Sequence, residues 1–90
     1  MIKLNKAESE VFNAILATGA ADADSIAYES SLSKVKVKSI LKTMIEKSAV
    51  YSFTDVDEVM FDITGADVEM FNEVTSHLTE EVVEQPTTEQ

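Results

Sequence analysis

Ninety residues with a formal net charge of -10, seven lysines, no arginine and no cysteine make one small domain with a thin core. No disulfide can reinforce that core, and no thiolate can hold a metal or act as a nucleophile. A protein that coats nucleic acid is basic overall, so a general electrostatic grip on phosphate is excluded and any such contact has to come from a local patch.

The charge is divided along the chain. Residues 1–54 hold all seven lysines against six acids, and residues 55–90 hold eleven acids and no base. The uncharged run Val11 to Ala21 is too short and too polar to span a bilayer. The early lysines lead into Ala7-Glu8-Ser9-Glu10 and not into an apolar signal segment, so a cytoplasmic protein is expected.

Ile2 and Leu4 alternate with Lys3 and suit a short leading strand or arm. Asn5 stands three residues before Glu8, the spacing of a capping box. Val11, Phe12, Ile15 and Leu16 then recur at helical spacing, and Gly19 offers a stop, which predicts a helix over 6–18. Asp22 is placed to cap a second helix over 23–30, with Asp24 at the positive end of its dipole. Ile26 and Ala27 point inward there, with Tyr28 at the margin, and Leu32 is expected to pin the following turn to the core.

Ser33 can cap a third helix, SKVKVKSILKTMIEKSAV, which carries five of the seven lysines. At a hundred degrees per residue, Val37, Ile40, Leu41 and Met44 share one side, with Ile45 adjoining. Val35, Lys36, Lys38, Ser39, Lys42, Thr43, Glu46 and Lys47 fall on the other. Val35 on that wet face reads either as an ordinary exposed valine or as a methyl contact to a thymine or a partner protein.

Residues 49–54 and 58–64 predict two strands joined by Thr54-Asp55-Val56-Asp57, a loop without the Asn-Gly signal of the tightest hairpins. Thr64 and Asp67 have capping-box spacing ahead of Val68, Phe71, Val74, Leu78 and Val82, which predicts a fourth helix. Pro86 ends it, so residues 1–83 are expected to form the domain and 84–90 an acidic disordered tail.

This order of elements resembles the winged helix-turn-helix superfamily, especially MarR-like and related bacterial and phage regulators. The likeness covers roughly residues 5–64 and is most specific in Asp24-Ser-Ile-Ala-Tyr-Glu-Ser-Ser-Leu-Ser33 running into Lys34 through Val50. Ala27 matches the small inward alanine of the motif's first helix, Leu32-Ser33 the end of its turn, and Val37 with Leu41 the buried pair of its recognition helix. Lys47-Ser-Ala-Val50 stands where Lys-Gly-Leu-Val is usual.

The resemblance implies an α+β, mainly α fold: a three-helix core, a two-stranded wing and a C-terminal helix. Ser31 and Ser48 replace the usual turn glycines, so those turns must be made without the residue that takes positive φ most cheaply. The wing, Asp55-Val-Asp-Glu58, is acidic where a DNA-touching wing is basic.

Two functions follow. As a transcription regulator, the chain would place the N-terminal half of helix 3 in the major groove of double-stranded DNA. Ser33, Lys34, Val35, Lys36, Lys38, Ser39 and Lys42 would be the contacts, and helix 4 would support a homodimer. As an acidic adaptor or inhibitor, it would offer Asp55, Asp57, Glu58, Glu69 and Glu73 to a basic protein surface, such as part of the transcription machinery, or imitate DNA phosphates. Phage-encoded regulators of this size do both kinds of work.

Catalysis has no motif behind it: no base is placed to activate a serine, and Gly19 and Gly65 cannot build a phosphate loop. His77, with Glu73 and Glu81 a turn to either side, reads as a solvated histidine among acids and not as a metal site, which needs more ligands. No cofactor is expected.

Overall fold

A computed structural model describes residues 1–71 of the chain. The elements are β1 (Ile2–Lys3), α1 (Lys6–Thr18), α2 (Ala23–Ser30), α3 (Lys34–Glu46), β2 (Val50–Asp55), β3 (Glu58–Ile63) and β4 (Val68–Glu69).

Each helix starts where a side chain can take up its free N–H groups. At α1, Glu8 N donates to Asn5 Oδ1 at 2.8 Å and Asn5 N donates to Glu8 Oε1 at 2.9 Å, so the expected capping box forms. At α2, Ser25 N donates to Asp22 Oδ1 at 2.9 Å. At α3, Lys36 N donates to Ser33 Oγ at 3.1 Å. The helix ends are set by left-handed or glycine backbone: Gly19 closes α1 at φ 80°, and Ser31 closes α2 at φ 62°. Ser48, in the turn after α3, has φ 67°. Serine thus fills both turn positions where the superfamily has glycine.

Val11, Ile15, Ile26, Val37, Leu41, Met44 and Val50 are fully buried, so α1, α2, α3 and β2 feed one core. Burying each such side chain is worth about 1.5–3 kcal/mol, which outweighs the weak intrinsic helix preference of β-branched residues. Leu32 packs against this core from the α2–α3 turn, as its position predicts. Leu16 and Tyr28, at the edges of their helical stripes, are exposed instead.

β2 and β3 pair antiparallel from Val50↔Ile63 to Asp55↔Glu58. Thr54 and Asp55 therefore belong to the ladder, and the hairpin loop is only Val56-Asp57, shorter than the four residues expected. Their φ values of 46° and 66° are the pair of left-handed conformations that a type I′ turn requires. Ladder pairing on both sides imposes that turn on residues that do not favour it.

β3 is anchored on its other edge. Ala21 N donates to Phe61 O at 3.1 Å and Phe61 N donates to Ala21 O at 2.8 Å. The α1–α2 loop is thereby fastened to the hairpin, and the N-terminus of α2 lies beside β3.

The start of the expected fourth helix is different. Val68–Glu69 is a strand that pairs in parallel with Ile2–Lys3. Ile2 N donates to Asp67 O and Leu4 N to Glu69 O, both at 2.9 Å, and Val68 packs on the core. Thr64 Oγ1 donates to Ser48 O at 2.7 Å, so Thr64 ties down the turn after α3 and caps no helix here. The free edge of the N-terminal strand wins over the local capping pattern. The rest of that expected helix, including Glu73 and His77, and the tail 84–90 lie outside the described residues.

Candidate nucleic-acid interface

Burial of Val37, Leu41 and Met44 fixes the rotation of α3 about its axis. Everything about its outer surface follows from that rotation. Val35 is 80% exposed, and Lys36, Lys38, Ser39 and Lys42 are exposed with it. Ser33 is exposed too, with its hydroxyl accepting the capping hydrogen bond. The structure therefore brings all seven expected contact residues to the outside of one helix and its cap.

The lysines do not form a uniform patch. Lys34 Nζ is 3.1 Å from Asp24 Oδ1, both side chains largely in water, so its charge is partly answered across the helix-turn-helix. Lys36, Lys38 and Lys42 have no ion pair among the described residues. Lys34, Lys38 and Lys42 follow each other at intervals of one turn on the flank facing β3, whereas Lys36 lies on the opposite flank.

Lys47 departs from the helical count. It is the C-cap of α3 and turns back toward α1, where its Nζ lies 2.7 Å from Glu8 Oε1 and donates to Lys3 O at 3.0 Å. Glu8 is buried and needs a counter-charge, and that need draws Lys47 off the outer face. Spacing could not show this, because Glu8 is 39 residues away in sequence.

Between α3 and β3 lies a cleft of about 540 Å³. Its floor is apolar, with Leu41, Ile45, Val59 and Phe61, and the N-terminus of α2 completes the lining through Asp22 and Asp24. Asp22 and Glu58 approach each other here. The Ser25 N–H holds the Asp22 carboxyl below its ordinary pKa. The hydrogen bond to Asp22, together with that residue's charge, pushes Glu58 up. Sequence reasoning found Asp22 as a cap and Glu58 as a wing acid. Only the Ala21–Phe61 bridge, invisible in spacing, puts them together.

The acidic wing is real: Asp55, Asp57 and Glu58 are exposed at the hairpin tip. Strand alternation gives the outer face of the hairpin Tyr51, Phe53 and Met60 beside Asp55 and Asp62, whereas Glu58, at the start of β3, turns to Asp22 and the cleft. The Tyr51 and Phe53 rings stand 5.8 Å apart, and both are exposed. Glu69, in β4, is exposed as well. Among the described residues no helix is long and apolar enough to cross a membrane.

Comparison with known proteins agrees with this architecture. No curated protein matches the chain. Among solved structures, the crystal structure of the Zalpha domain from Carassius auratus PKZ in complex with Z-DNA matches with a TM-score of 0.58. That match has 22% sequence identity and covers 64% of this chain and 92% of that domain, and it shows a shared winged-helix fold. The family model described as "Sugar-specific transcriptional regulator TrmB" matches residues 1–64, well over half of the sequence, and the chain accordingly belongs to the TrmB family of winged-helix transcription regulators, a family without enzymatic activity.

Proposed function

We propose that the protein is a DNA-binding transcription regulator that reads duplex DNA with α3. The observation that carries this is the display of Lys36, Lys38 and Lys42 on a helix whose inner side is locked into the core, with no carboxylate among the described residues neutralising them. The N-terminal half of α3 enters the major groove, where Ser33, Lys34, Val35, Lys36, Lys38, Ser39 and Lys42 reach phosphates and base edges. Lys34 joins when it leaves Asp24. Family membership supports the reading, as does a fold shared with a domain whose structure was solved with Z-DNA.

The wing plays a different part from a phosphate-gripping one. Asp55, Asp57 and Glu58 repel the backbone, so affinity rests on α3 alone and one copy binds weakly. Two copies side by side would double the contacts.

One observation favours a second reading. The outer face of the hairpin combines exposed Tyr51 and Phe53 and half-buried Met60 with a rim of acids, the make-up of a contact for a basic protein surface. On that reading Asp55, Asp57, Glu58, Glu69 and Glu73 engage the partner.

A charge-swap pair separates the two readings. Lys38→Glu with Lys42→Glu should abolish a mobility shift on random duplex DNA at low salt, while Asp55→Ser, Asp57→Ser and Glu58→Ser should preserve or strengthen it. No shift by the unaltered chain at low salt would refute the DNA reading. Loss of regulation only in the wing variant would favour the adaptor.

A further inference from the structure

The cleft between α3 and β3 has walls of opposite sign above an apolar floor. Lys38 and Lys42 stand on the α3 side, with Glu46 one turn beyond Lys42. Asp22 and Glu58 stand on the other side. Lys34 and Asp24, which also line it, already answer each other at 3.1 Å. Ile45 and Val59 leave apolar surface open between the walls, with Val59 54% exposed. A volume of about 540 Å³ falls within the range of small-molecule sites.

We infer that this cleft is a binding site for a small amphipathic zwitterion. Its anionic group lies on Lys38 and Lys42, its flat apolar body covers Ile45, Val59 and Phe61, and its ammonium group meets Asp22 and Glu58.

The division of charge selects this class. A phosphate chain, or the acidic residues 72–90 of this chain, which contain no lysine or arginine, would satisfy the lysines but face Asp22 and Glu58 as like charges. A simple cation would do the reverse. Asp22 and Glu58 line the same side of the cleft as like charges, and an incoming ammonium relieves their repulsion. Because the ligand takes the same lysine pair that the DNA reading uses, binding would compete with duplex. The site itself stands whether or not α3 reads DNA.

The test is an amide-resolved NMR titration of the full chain with 4-(aminomethyl)benzoate, in parallel with benzoate and with benzylamine. The zwitterion should shift Lys38, Lys42, Val59 and Phe61 and bind about tenfold more tightly than either single-charge probe, a modest ratio for one added charge-assisted hydrogen bond at a wet site. Glu58→Gln should reduce the zwitterion to the affinity of benzoate, and Lys38→Gln with Lys42→Gln should reduce it to that of benzylamine. All three changes are on exposed side chains, and the same spectra report that the fold is intact. The inference is overturned if no probe shifts these residues, if a single-charge probe binds as tightly as the zwitterion, or if the shifts map elsewhere.

Discussion

The Lys47 ammonium and the Glu8 carboxylate are 2.7 Å apart, and the Glu8 side chain is only 4% exposed. The same Glu8 oxygen accepts from Asn5 N, so one carboxylate closes the capping box of α1 and fastens the end of α3 to it. Lys47 also holds Lys3 O, which brings β1 into the same knot.

Removing Lys47 strands a buried charge, whereas neutralising Glu8 does not. Lys47→Met should lower unfolding free energy by about 2 kcal/mol, below the usual cost for a fully buried pair because Lys47 is part-exposed. Glu8→Gln, which keeps an oxygen for Asn5 N, should cost less. Urea denaturation of both variants checks the order, and a larger loss in Glu8→Gln would contradict it.

The hairpin turn holds strain that better residues would release. Val56 is β-branched at φ 46° and 90% exposed, so it gains nothing from packing in return. Val56→Asn with Asp57→Gly should stabilise the chain by about 1 kcal/mol. In a domain of this size that raises Tm by about 4–8 °C. Ser31→Gly and Ser48→Gly should each add about 0.5–1 kcal/mol for the same reason. Thermal unfolding that is unchanged or lowered in all of them would show these backbones to be unstrained.

Asp22 and Glu58 have opposite effects on acid stability. Glu58 is raised above its ordinary 4.5, so the fold binds its proton more readily than the unfolded chain does. Its contribution therefore increases as pH falls through the raised value, and is complete by the ordinary one. Asp22 is lowered from its ordinary 3.8, so its contribution is full above that value and is lost as pH falls through the lowered one. Denaturation midpoints measured from about pH 7 to about pH 3 should show the Glu58 gain in the unaltered chain and not in Glu58→Gln, while the Asp22 loss persists in both. Parallel curves would mean the two carboxyls are not coupled.

Local chemistry made most of the fold legible. Asn5, Asp22 and Ser33 mark the three helix starts, and the Val37–Leu41–Met44 stripe orients α3, because caps and apolar periodicity act within a few residues. What was not legible depends on distant partners. Thr64 and Asp67 read as a cap locally, but β1 claims that backbone from more than sixty residues away. The seven contact candidates were found by spacing, yet their division into a Lys34–Lys38–Lys42 flank facing the hairpin and a lone Lys36 depends on where the hairpin sits. Lys47 left the outer face because a buried acid on another helix needed it.

The central claim is that the free lysines of α3 bind duplex phosphate, and the salt dependence of binding to a random duplex, followed by fluorescence anisotropy, tests it most directly. Three neutralised phosphates predict a log–log slope of about -2.7, or about -3.6 if Lys34 joins, and Lys38→Gln with Lys42→Gln should flatten it by about 1.8. A slope near zero, or one that the double substitution leaves unchanged, would contradict the account.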